Sequence, residues 1–185
     1  MKQTISIPNT GRKRAIIVVD MQPTFLSSVP KSLVSAVVAV LENVPYDVYV
    51  EATFHADKGS IWDKQTGWTY AAEPSVPEIQ KALQEKPIEH ISKSAKSAFL
   101  GDKDLAVILR AKGIEEVHIV GVDTNDCILA TAYNAFDLGF FAYVIEECVS
   151  ASEGSELHEA ALKILRNVDL TNHSKRIASN SEVSI

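Results

Sequence analysis

A short apolar run that ends in a glycine turn and continues directly as a helical pattern constrains this chain most strongly. It spans residues 117–139 and has the sequence VHIVGVDTNDCILATAYNAFDLG. The helical part carries apolar residues at the spacing i, i+4, i+7 and i+8, namely Ile128, Ala132, Ala135 and Phe136. This spacing predicts one buried helical face that follows a buried strand almost without a loop.

Cys127 falls in the first turn of that predicted helix. Unpaired backbone N–H groups and the helix dipole favour negative charge at this position, so we expect a lowered pKa for its thiol. The position therefore suits a nucleophile. The other cysteine, Cys148, has no such position and is better explained as a small core residue.

Composition excludes several classes of protein. The 185 residues suggest a single domain over residues 1–185, and 46% of them are apolar. A net charge of −6 without a Lys/Arg run argues against nucleic-acid and anionic-membrane partners. No apolar run approaches the length of a membrane span, and the first residues lack a secretory pattern. Two cysteines without such a signal favour a cytoplasmic protein with reduced thiols.

Strand and helix patterns alternate along the chain. Strand patterns cover residues 14–20, 47–53, 87–93, 117–120, 140–145 and 168–170. Amphipathic helical patterns separate most of them, and a polar tail follows Thr171. This alternation predicts right-handed crossovers and a parallel sheet covered by helices on both faces, which is a three-layer α/β/α sandwich.

One long segment has no sustained period. Residues 54–77, FHADKGSIWDKQTGWTYAAEPSVP, contain Trp62, Trp68 and His55. Structureless segments of this length are uncommon inside a compact domain unless they form an active-site loop, and the aromatic residues favour that interpretation.

Three chemically useful residues fall at or just beyond the carboxyl ends of predicted strands: Asp20, Lys93 and Cys127. Ligands of parallel sheets bind at this rim. Asp20 would serve as a base for the thiol if burial raised its pKa, and Lys93 would stabilise both anions. Each residue alone also has an ordinary structural explanation, and Lys96 is a rival for the role of Lys93.

Other site chemistries lack their usual patterns. The glycines form no phosphate-binding motif, and neither a GxSxG elbow nor a CxxC pair is present. His90, His118 and His158 lie in strand or helix patterns without metal-ligand spacing, so we interpret them as structural or surface residues. Backbone N–H groups of the GVDTNDC turn, including that of Cys127, remain as candidate oxyanion donors.

With these residues in place, the chain resembles the isochorismatase-like cysteine hydrolases, a family that includes nicotinamidases, N-carbamoylsarcosine amidohydrolases, ureidoacrylate and biuret hydrolases and isochorismatases. Three motifs in the family's order carry the resemblance: VVDMQPTF, KSAKSAF and GVDTNDCILATAYNAFDLG. The resemblance implies a triad of Asp20, Lys93 and Cys127 and selects Lys93 over Lys96. It also implies a six-stranded sheet in the order 3-2-1-4-5-6, numbered along the predicted strands, and a homo-oligomer, either a dimer or a tetramer.

The resemblance further implies a cis peptide bond between Val122 and Asp123, with the N–H groups of Asp123 and Cys127 as oxyanion donors. Phe25, five residues after Asp20, matches an aromatic residue that lines the family's pocket.

Metal binding is where the chain departs from the nicotinamidases of the family that it resembles. They carry an Asp-x-His metal motif after the second strand, and the equivalent here is Thr53, Phe54 and His55. One histidine without a carboxylate partner is too few ligands for a stable site, so no metal and no cofactor are predicted. His55 is then either a substrate contact or a surface residue, whereas Trp62 and Trp68 are expected to shape the pocket or a subunit contact.

The leading hypothesis is a hydrolase that cleaves the C–N bond of a small amide or ureide through a thioester at Cys127. Two alternatives remain open at this stage. One is vinyl ether hydrolysis of the isochorismatase type, which does not need the thiol. The other is a protein of this fold that serves binding or assembly and retains the triad without using it.

Overall fold

The computed structural model describes residues 4–184 and contains a five-stranded parallel sheet. The strands of the protein are β1 (Thr4–Pro8), β2 (Arg14–Val19), β3 (Val48–Phe54), β4 (Ile88–Lys93), β5 (Glu116–Val122), β6 (Phe141–Ser150) and β7 (Asn180–Ser184). The order in the main sheet is β4-β3-β2-β5-β6, and every neighbouring pair is parallel. Such a sheet requires crossover connections between its strands, and here helices supply most of them.

The α-helices of the described residues are α1 (Pro23–Leu26), α2 (Ser32–Asn43), α3 (Ile61–Thr66), α4 (Pro77–Leu83), α5 (Leu105–Ala111), α6 (Leu129–Asp137) and α7 (Ser155–Asn167). Side chains alternate between the two faces of a strand. Ile17 of β2 accordingly belongs to one apolar cluster with α5, α6 and α7, and Ile16 belongs to another with α2 and α4. The expected three-layer α/β/α sandwich is therefore confirmed.

The strand count differs from expectation. Five strands follow the expected order, but the predicted sixth strand at residues 168–170 is not formed. Helix α7 extends to Asn167 and Val168 caps it, so little chain remains for pairing. The residue after this segment, Thr171, forms an isolated parallel bridge with Val144 of β6.

The two ends of the described chain pair with each other. Strands β1 and β7 form an antiparallel ribbon in which Ile5 faces Val183, and both side chains are buried. Thr171 and Asn172, at the start of the polar tail, are also buried. Both the start of the polar tail and its final strand, β7, thus contribute buried residues to the packed structure.

Three local predictions needed correction. The sequence favours Ser27 or Ser28 as the cap of the helix after β2, but α2 begins only at Ser32, and the one-turn helix α1 precedes it. The segment 54–77 is not structureless, because it contains α3, which Ser60 caps by accepting from the Asp63 N–H. Phe136 does not share the buried face of α6, since its side chain is 58% exposed.

Gly121 brings β2 and β5 unusually close at their carboxyl ends. Its φ of +116° lies in the region that favours glycine, and a Cβ there would collide with the carbonyl of Val19. The register between β5 and β6 also shifts between Ile119 and Gly121. The close approach of these two strand ends, which carry the candidate site, therefore requires glycine at position 121. Within residues 4–184, no helix has the length and apolarity needed to cross a membrane.

Candidate active site

The three residues predicted to act together lie at the carboxyl rim of the sheet. Asp20 directly follows β2, Lys93 is the last residue of β4, and Cys127 lies just beyond β5. From β2 the chain adds β3 and then β4 on one side of the sheet, and it then crosses to the other side of β2 to add β5 and β6. The direction of the connections therefore reverses between β2 and β5. Asp20 and Cys127 thus flank the topological switch point, where ligands of doubly wound sheets bind.

Lys93 joins the other two residues. Its Nζ donates to Asp20 Oδ2 at 2.7 Å and to Cys127 Sγ at 3.4 Å, with a further bond to the Ala95 carbonyl at 3.3 Å. The side chain of Lys93 is 0% exposed and that of Asp20 is 4% exposed. Lys96, the rival, pairs instead with Asp126. The structure therefore brings Lys93, and not Lys96, to the thiol.

Asp20 adopts a backbone conformation that directs the chain out of β2. Its φ is +53°, in the left-handed region that few residues other than glycine occupy. The Asp20 N–H still donates to the Ala52 carbonyl of β3 at 2.9 Å, so the sheet holds this residue in place. Its carboxylate oxygen Oδ1 is buried and has no hydrogen-bond partner within residues 4–184. That oxygen is an acceptor left open beside the thiol cluster.

A π-helical turn positions Cys127. Residues Thr124–Ile128 form it, directly before α6, and the Ile128 N–H donates to the Asp123 carbonyl at 3.1 Å. Such turns occur frequently at functional sites. Thr124, at the start of the turn, is bonded through Oγ1 to His158 Nδ1 of α7 at 2.9 Å. The peptide bond between Val122 and Asp123 is cis, as the resemblance implied.

Burial sets the ionisation of the cluster. It raises the pKa of Asp20, and the charge of Lys93 only partly opposes this. Burial alone would lower the pKa of Lys93, but the charges of Asp20 and Cys127 outweigh it and the pKa is raised. The expected rise for Asp20 is therefore present, and Lys93 stays a cation at neutral pH.

The lowered pKa expected for the Cys127 thiol was wrong. Burial raises that pKa well above its ordinary value, and the charge of Asp20 raises it further, while Lys93 opposes both. The side chain is only 9% exposed, so loss of hydration outweighs its position at the start of a helix. The thiol is therefore neutral at pH 7, and a nucleophilic role would require a nearby group that accepts its proton.

A cavity of about 190 Å³ opens onto the cluster. Its aromatic lining consists of Phe25, Phe54, Trp62, Trp68 and Tyr70. Its polar lining consists of Asp20, Asp123, Asp126, Cys127, Ser152 and Glu153. The volume lies below the roughly 300–1,000 Å³ of pockets for drug-sized ligands, so it suits a small molecule. Larger cavities of about 630 and 710 Å³ elsewhere contain none of the three rim residues.

The aromatic lining forms a continuous wall. Trp62 and Trp68 stack with their ring centroids 6.2 Å apart, and Phe25 packs against Tyr70 at 5.2 Å. The predicted pocket residues Phe25, Trp62 and Trp68 are therefore brought together at the cavity. Trp68 remains 45% exposed, which places it at the cavity mouth.

His55 is placed differently. Its ring nitrogens bond to Ser92 Oγ at 3.2 Å and to Ser94 Oγ at 3.0 Å, and it does not line the cavity. The expectation of a substrate contact at His55 thus receives no support from the geometry. These serine partners of His55 do not fit a transition-metal site. Within residues 4–184, no group of three or more His, Cys, Asp or Glu side chains is placed to hold a metal ion.

Sequence reasoning missed several lining residues. Tyr70 reaches the cavity because Ala56 and Tyr70 form an isolated antiparallel bridge that folds the loop back on itself. Asp126 directly precedes Cys127, and this neighbouring position in the sequence could have indicated that it lines the cavity. Glu153 lies beyond β6, and only the fold brings it to the cavity. Asp123 was predicted for its backbone N–H, but its carboxylate accepts from the Ser152 N–H at 2.6 Å and from its Oγ at 2.9 Å.

Comparison with protein families identifies the chain as a member of the isochorismatase family, because the model of the isochorismatase domain matches residues 14–174. That range includes Asp20, Lys93 and Cys127. The family membership inferred from the three sequence motifs is thereby confirmed.

Curated relatives agree with this assignment. Nicotinamidase 3 of Arabidopsis thaliana is 31% identical over 159 residues, which cover 80% of this chain and 78% of that protein. An uncharacterized isochorismatase family protein of Bacillus subtilis is 38% identical over 92 residues, and a maleamate amidohydrolase of Pseudomonas putida is 40% identical over 72 residues. These two matches cover 50% and 39% of this chain, but only 49% and 33% of the relatives' own lengths.

Solved structures share the fold. An isochorismatase-like hydrolase from Alkaliphilus metalliredigens superposes with a TM-score of 0.73 at 21% identity, over 86% of this chain and 92% of that one. The nicotinamidase PncA of Bacillus subtilis superposes with a TM-score of 0.65 at 26% identity, over 84% of this chain and 95% of that one. The arrangement of sheet and helices is thus that of the family.

Proposed function

We propose that this protein is a hydrolase that cleaves the C–N bond of a small amide or ureide through a covalent thioester at Cys127. The observation that carries the proposal is the contact of one buried ammonium, Lys93 Nζ, with both Asp20 Oδ2 at 2.7 Å and Cys127 Sγ at 3.4 Å. A buried ion pair costs desolvation free energy and is weak evidence for stability, so a chemical role accounts for it better.

Proton transfer from the thiol starts the reaction. The thiol is neutral at rest and Asp20 Oδ1 is open, so the carboxylate accepts the proton as Sγ attacks the carbonyl carbon. The raised pKa of Asp20 makes it a stronger base than an ordinary aspartate. Lys93 remains protonated and stabilises whichever of the two groups carries the negative charge.

The tetrahedral intermediate then breaks down. Asp20 returns the proton to the leaving nitrogen, ammonia or an amine departs, and Cys127 is left as a thioester. Water attacks the thioester carbonyl, Asp20 accepts its proton, and the carboxylic acid is released as Sγ recovers a proton. The backbone N–H groups of Asp123 and Cys127 are the proposed oxyanion donors.

The names of relatives support amide chemistry. Nicotinamidase 3 and maleamate amidohydrolase are both named for the cleavage of an amide. A neutral thiol with an adjacent base suits attack on a carbonyl carbon, the step that such cleavage requires.

The test is a panel of small amides, including nicotinamide and maleamate, assayed for ammonia release. We expect at least one to be turned over and Cys127→Ala to lower its kcat/KM by about 10⁴-fold or more. Cys148→Ala is the matched control, because Cys148 is also a buried free cysteine but does not line the cavity, and it should retain turnover. Ammonia release that persists in Cys127→Ala contradicts the proposal, and vinyl ether cleavage that persists in that variant favours the isochorismatase-type alternative.

A further inference from the structure

We infer that the cavity selects substrates whose far end carries a positive charge, an ammonium or guanidinium group, and rejects substrates that carry a carboxylate. This inference rests on the proposed amide hydrolysis and names the substrate class for that same site. It is carried by the charges and aromatic rings that line the cavity.

Every ionised side chain that lines the cavity is an acid. Asp20, Asp123, Asp126 and Glu153 contribute carboxylates, and among residues 4–184 no Lys, Arg or His lines the cavity. Two of the carboxylates are balanced by cations from outside the lining, since Lys93 pairs with Asp20 and Lys96 pairs with Asp126.

The other two carboxylates have only neutral partners. Asp123 accepts from Ser152 at 2.6 and 2.9 Å, and Glu153 accepts from Asn125 Nδ2 at 2.9 Å. Neither forms a salt bridge within the described part of the chain. The cavity therefore carries excess negative charge, and a substrate carboxylate would meet repulsion there.

The aromatic wall supplies a second attraction for a cation. Rings attract ammonium and guanidinium groups through their faces, and Trp is the strongest in this respect. The chain itself shows this pairing at the cavity mouth, where Lys96 Nζ lies 4.7 Å from the ring centroid of Trp62 while it pairs with Asp126. An ammonium group between an indole and a carboxylate is thus already present beside the site.

The negative field also reaches the titrating groups. Burial raises the pKa of Tyr70, and the charges of Asp123, Glu153 and Asp126 raise it further. Asp126 likewise contributes to the raised pKa of Cys127. A cationic substrate would oppose this field and favour loss of the thiol proton, so binding of the preferred substrate would itself activate the nucleophile.

Three amides that differ only in the group at the far end test the inference. β-Alaninamide carries an ammonium group, butyramide a methyl group and succinamate a carboxylate on the same CH₂CH₂CONH₂ unit. At low ionic strength we expect kcat/KM to fall in that order, with about a tenfold difference or more between cation and anion. The difference should shrink as salt is added.

Variants of charged residues at the cavity test which charges cause the preference for a cationic substrate. Glu153→Gln should reduce the ratio of kcat/KM for β-alaninamide to that for succinamate by about fivefold. Lys96→Met should increase this ratio, because it removes the cation that balances Asp126. Glu42→Gln is the matched control, since it removes the same charge from the exposed surface of α2 and should leave the ratio unchanged.

A labelling measurement tests the charge preference of the cavity without requiring turnover of an amide. Cys127 in the Cys148→Ala background is treated with methanethiosulfonates that carry an ammonium or a sulfonate group. Each reagent forms a mixed disulfide with the Cys127 thiolate and releases methanesulfinate. The rate constant for labelling of the protein is divided by the rate constant of the same reagent with free 2-mercaptoethanol, which corrects for the reagent's own reactivity. We expect the ammonium reagent to be favoured by about tenfold and Glu153→Gln to diminish this preference.

Two results would overturn the inference. One is equal or faster turnover of succinamate, or equal or faster labelling by the sulfonate reagent. The other is a charge preference that changes no more in Glu153→Gln than in Glu42→Gln. Failure of the proposed function is distinct, because it would appear as absence of turnover for all three amides while the labelling preference still reports the charge selection.

Discussion

Two buried polar clusters occupy opposite ends of the same pair of strands, β2 and β5. At the carboxyl end lie Asp20, Lys93 and Cys127. At the amino end, His118 of β5 is bonded through Nδ1 to the Tyr46 hydroxyl at 2.9 Å and through Nε2 to Glu116 Oε1 at 2.8 Å. Both clusters contain ionisable groups with almost no solvent exposure.

The two clusters differ in whether their hydrogen bonds are complete. At the amino end, Glu116 Oε2 accepts from Thr10 Oγ1 at 2.6 Å and from Arg12 Nη1 at 3.4 Å, so both carboxylate oxygens have partners. At the carboxyl end, Asp20 Oδ1 has no partner within residues 4–184 and its residue lines a cavity. Complete networks rigidify a core, whereas an open acceptor beside a thiol leaves room for proton transfer. On the proposed mechanism, this difference separates a structural cluster at the amino end from a reactive one at the carboxyl end.

The largest effect should come from removing the ammonium that joins the carboxyl-end cluster. Lys93→Met should lower kcat/KM on a responsive amide by about 10³-fold, because Asp20 and Cys127 lose their stabilising charge. Lys96→Met, three residues further along, should lower turnover of butyramide by no more than about threefold. Steady-state kinetics on both variants measures this contrast, and a similar loss in the two would contradict the assignment of Lys93.

A double variant separates catalysis from folding at that cluster. Lys93→Met alone leaves a buried carboxylate unpaired and should cost roughly 3–5 kcal/mol in the free energy of unfolding. Asp20→Asn combined with Lys93→Met removes both charges, so it should regain much of that free energy while remaining inactive. Denaturant unfolding with parallel assays provides the measurement. Recovery of activity in the double variant would show that the charges are not catalytic.

The amino-end cluster should show the opposite pattern. His118→Phe leaves Glu116 and the Tyr46 hydroxyl with unmade hydrogen bonds, so we expect a loss of roughly 2–4 kcal/mol in the free energy of unfolding. In protein that remains folded, kcat/KM should change by less than about threefold. Loss of activity well beyond the folded fraction would break the distinction between the two clusters.

Acid should weaken the amino-end cluster. Burial lowers the pKa of His118 from its ordinary value of 6.5, so the unfolded chain binds a proton more readily as the pH falls below about that value. Burial alone would raise the pKa of Glu116 from 4.5, but the hydrogen bonds from His118, Thr10 and Arg12 outweigh burial, so this pKa is also lowered. Both shifts reduce stability toward acid. Tm measured from pH 7 to pH 4 should therefore fall less in His118→Phe than in the wild type, and equal slopes would contradict this account.

The smallest contrast concerns residues around the cavity. Trp62→Ala removes part of the aromatic wall and the bond from its Nε1 to the Ser94 carbonyl at 2.7 Å, so KM should rise by about tenfold. His55→Ala should change kcat/KM by about twofold or less, because its ring contacts two serines outside the cavity. A larger effect of His55→Ala than of Trp62→Ala would restore His55 as a substrate contact.

Much of the fold and of the cluster was predictable because local patterns encode them. The β-branched run before Asp20 and the glycine turn before Cys127 place both residues at strand ends, and parallel strands bring those ends to one rim. The pairing of residues 4–8 with 180–184 was not predictable in this way, since it joins segments far apart in the chain. The homo-oligomer, the cytoplasmic location and the lack of a metal remain predictions.

Other features depend on burial, which no local pattern reports. The helix start at Cys127 indicated a lowered thiol pKa, but enclosure by neighbouring elements raises it. The periodicity of α6 placed Phe136 on the buried face, yet its side chain is 58% exposed. Glu153 became a site residue only because the turn after β6 lies beside the cavity.

Trapping the acyl-enzyme tests the central claim most directly. The enzyme is mixed with the amide it turns over fastest, quenched in acid within milliseconds and analysed by intact mass and peptide mapping. We predict an added mass equal to the amide minus ammonia on the peptide that contains Cys127, its loss on treatment with hydroxylamine, and its absence in Cys127→Ala. Ammonia release that proceeds without any adduct and survives in Cys127→Ala would contradict the account.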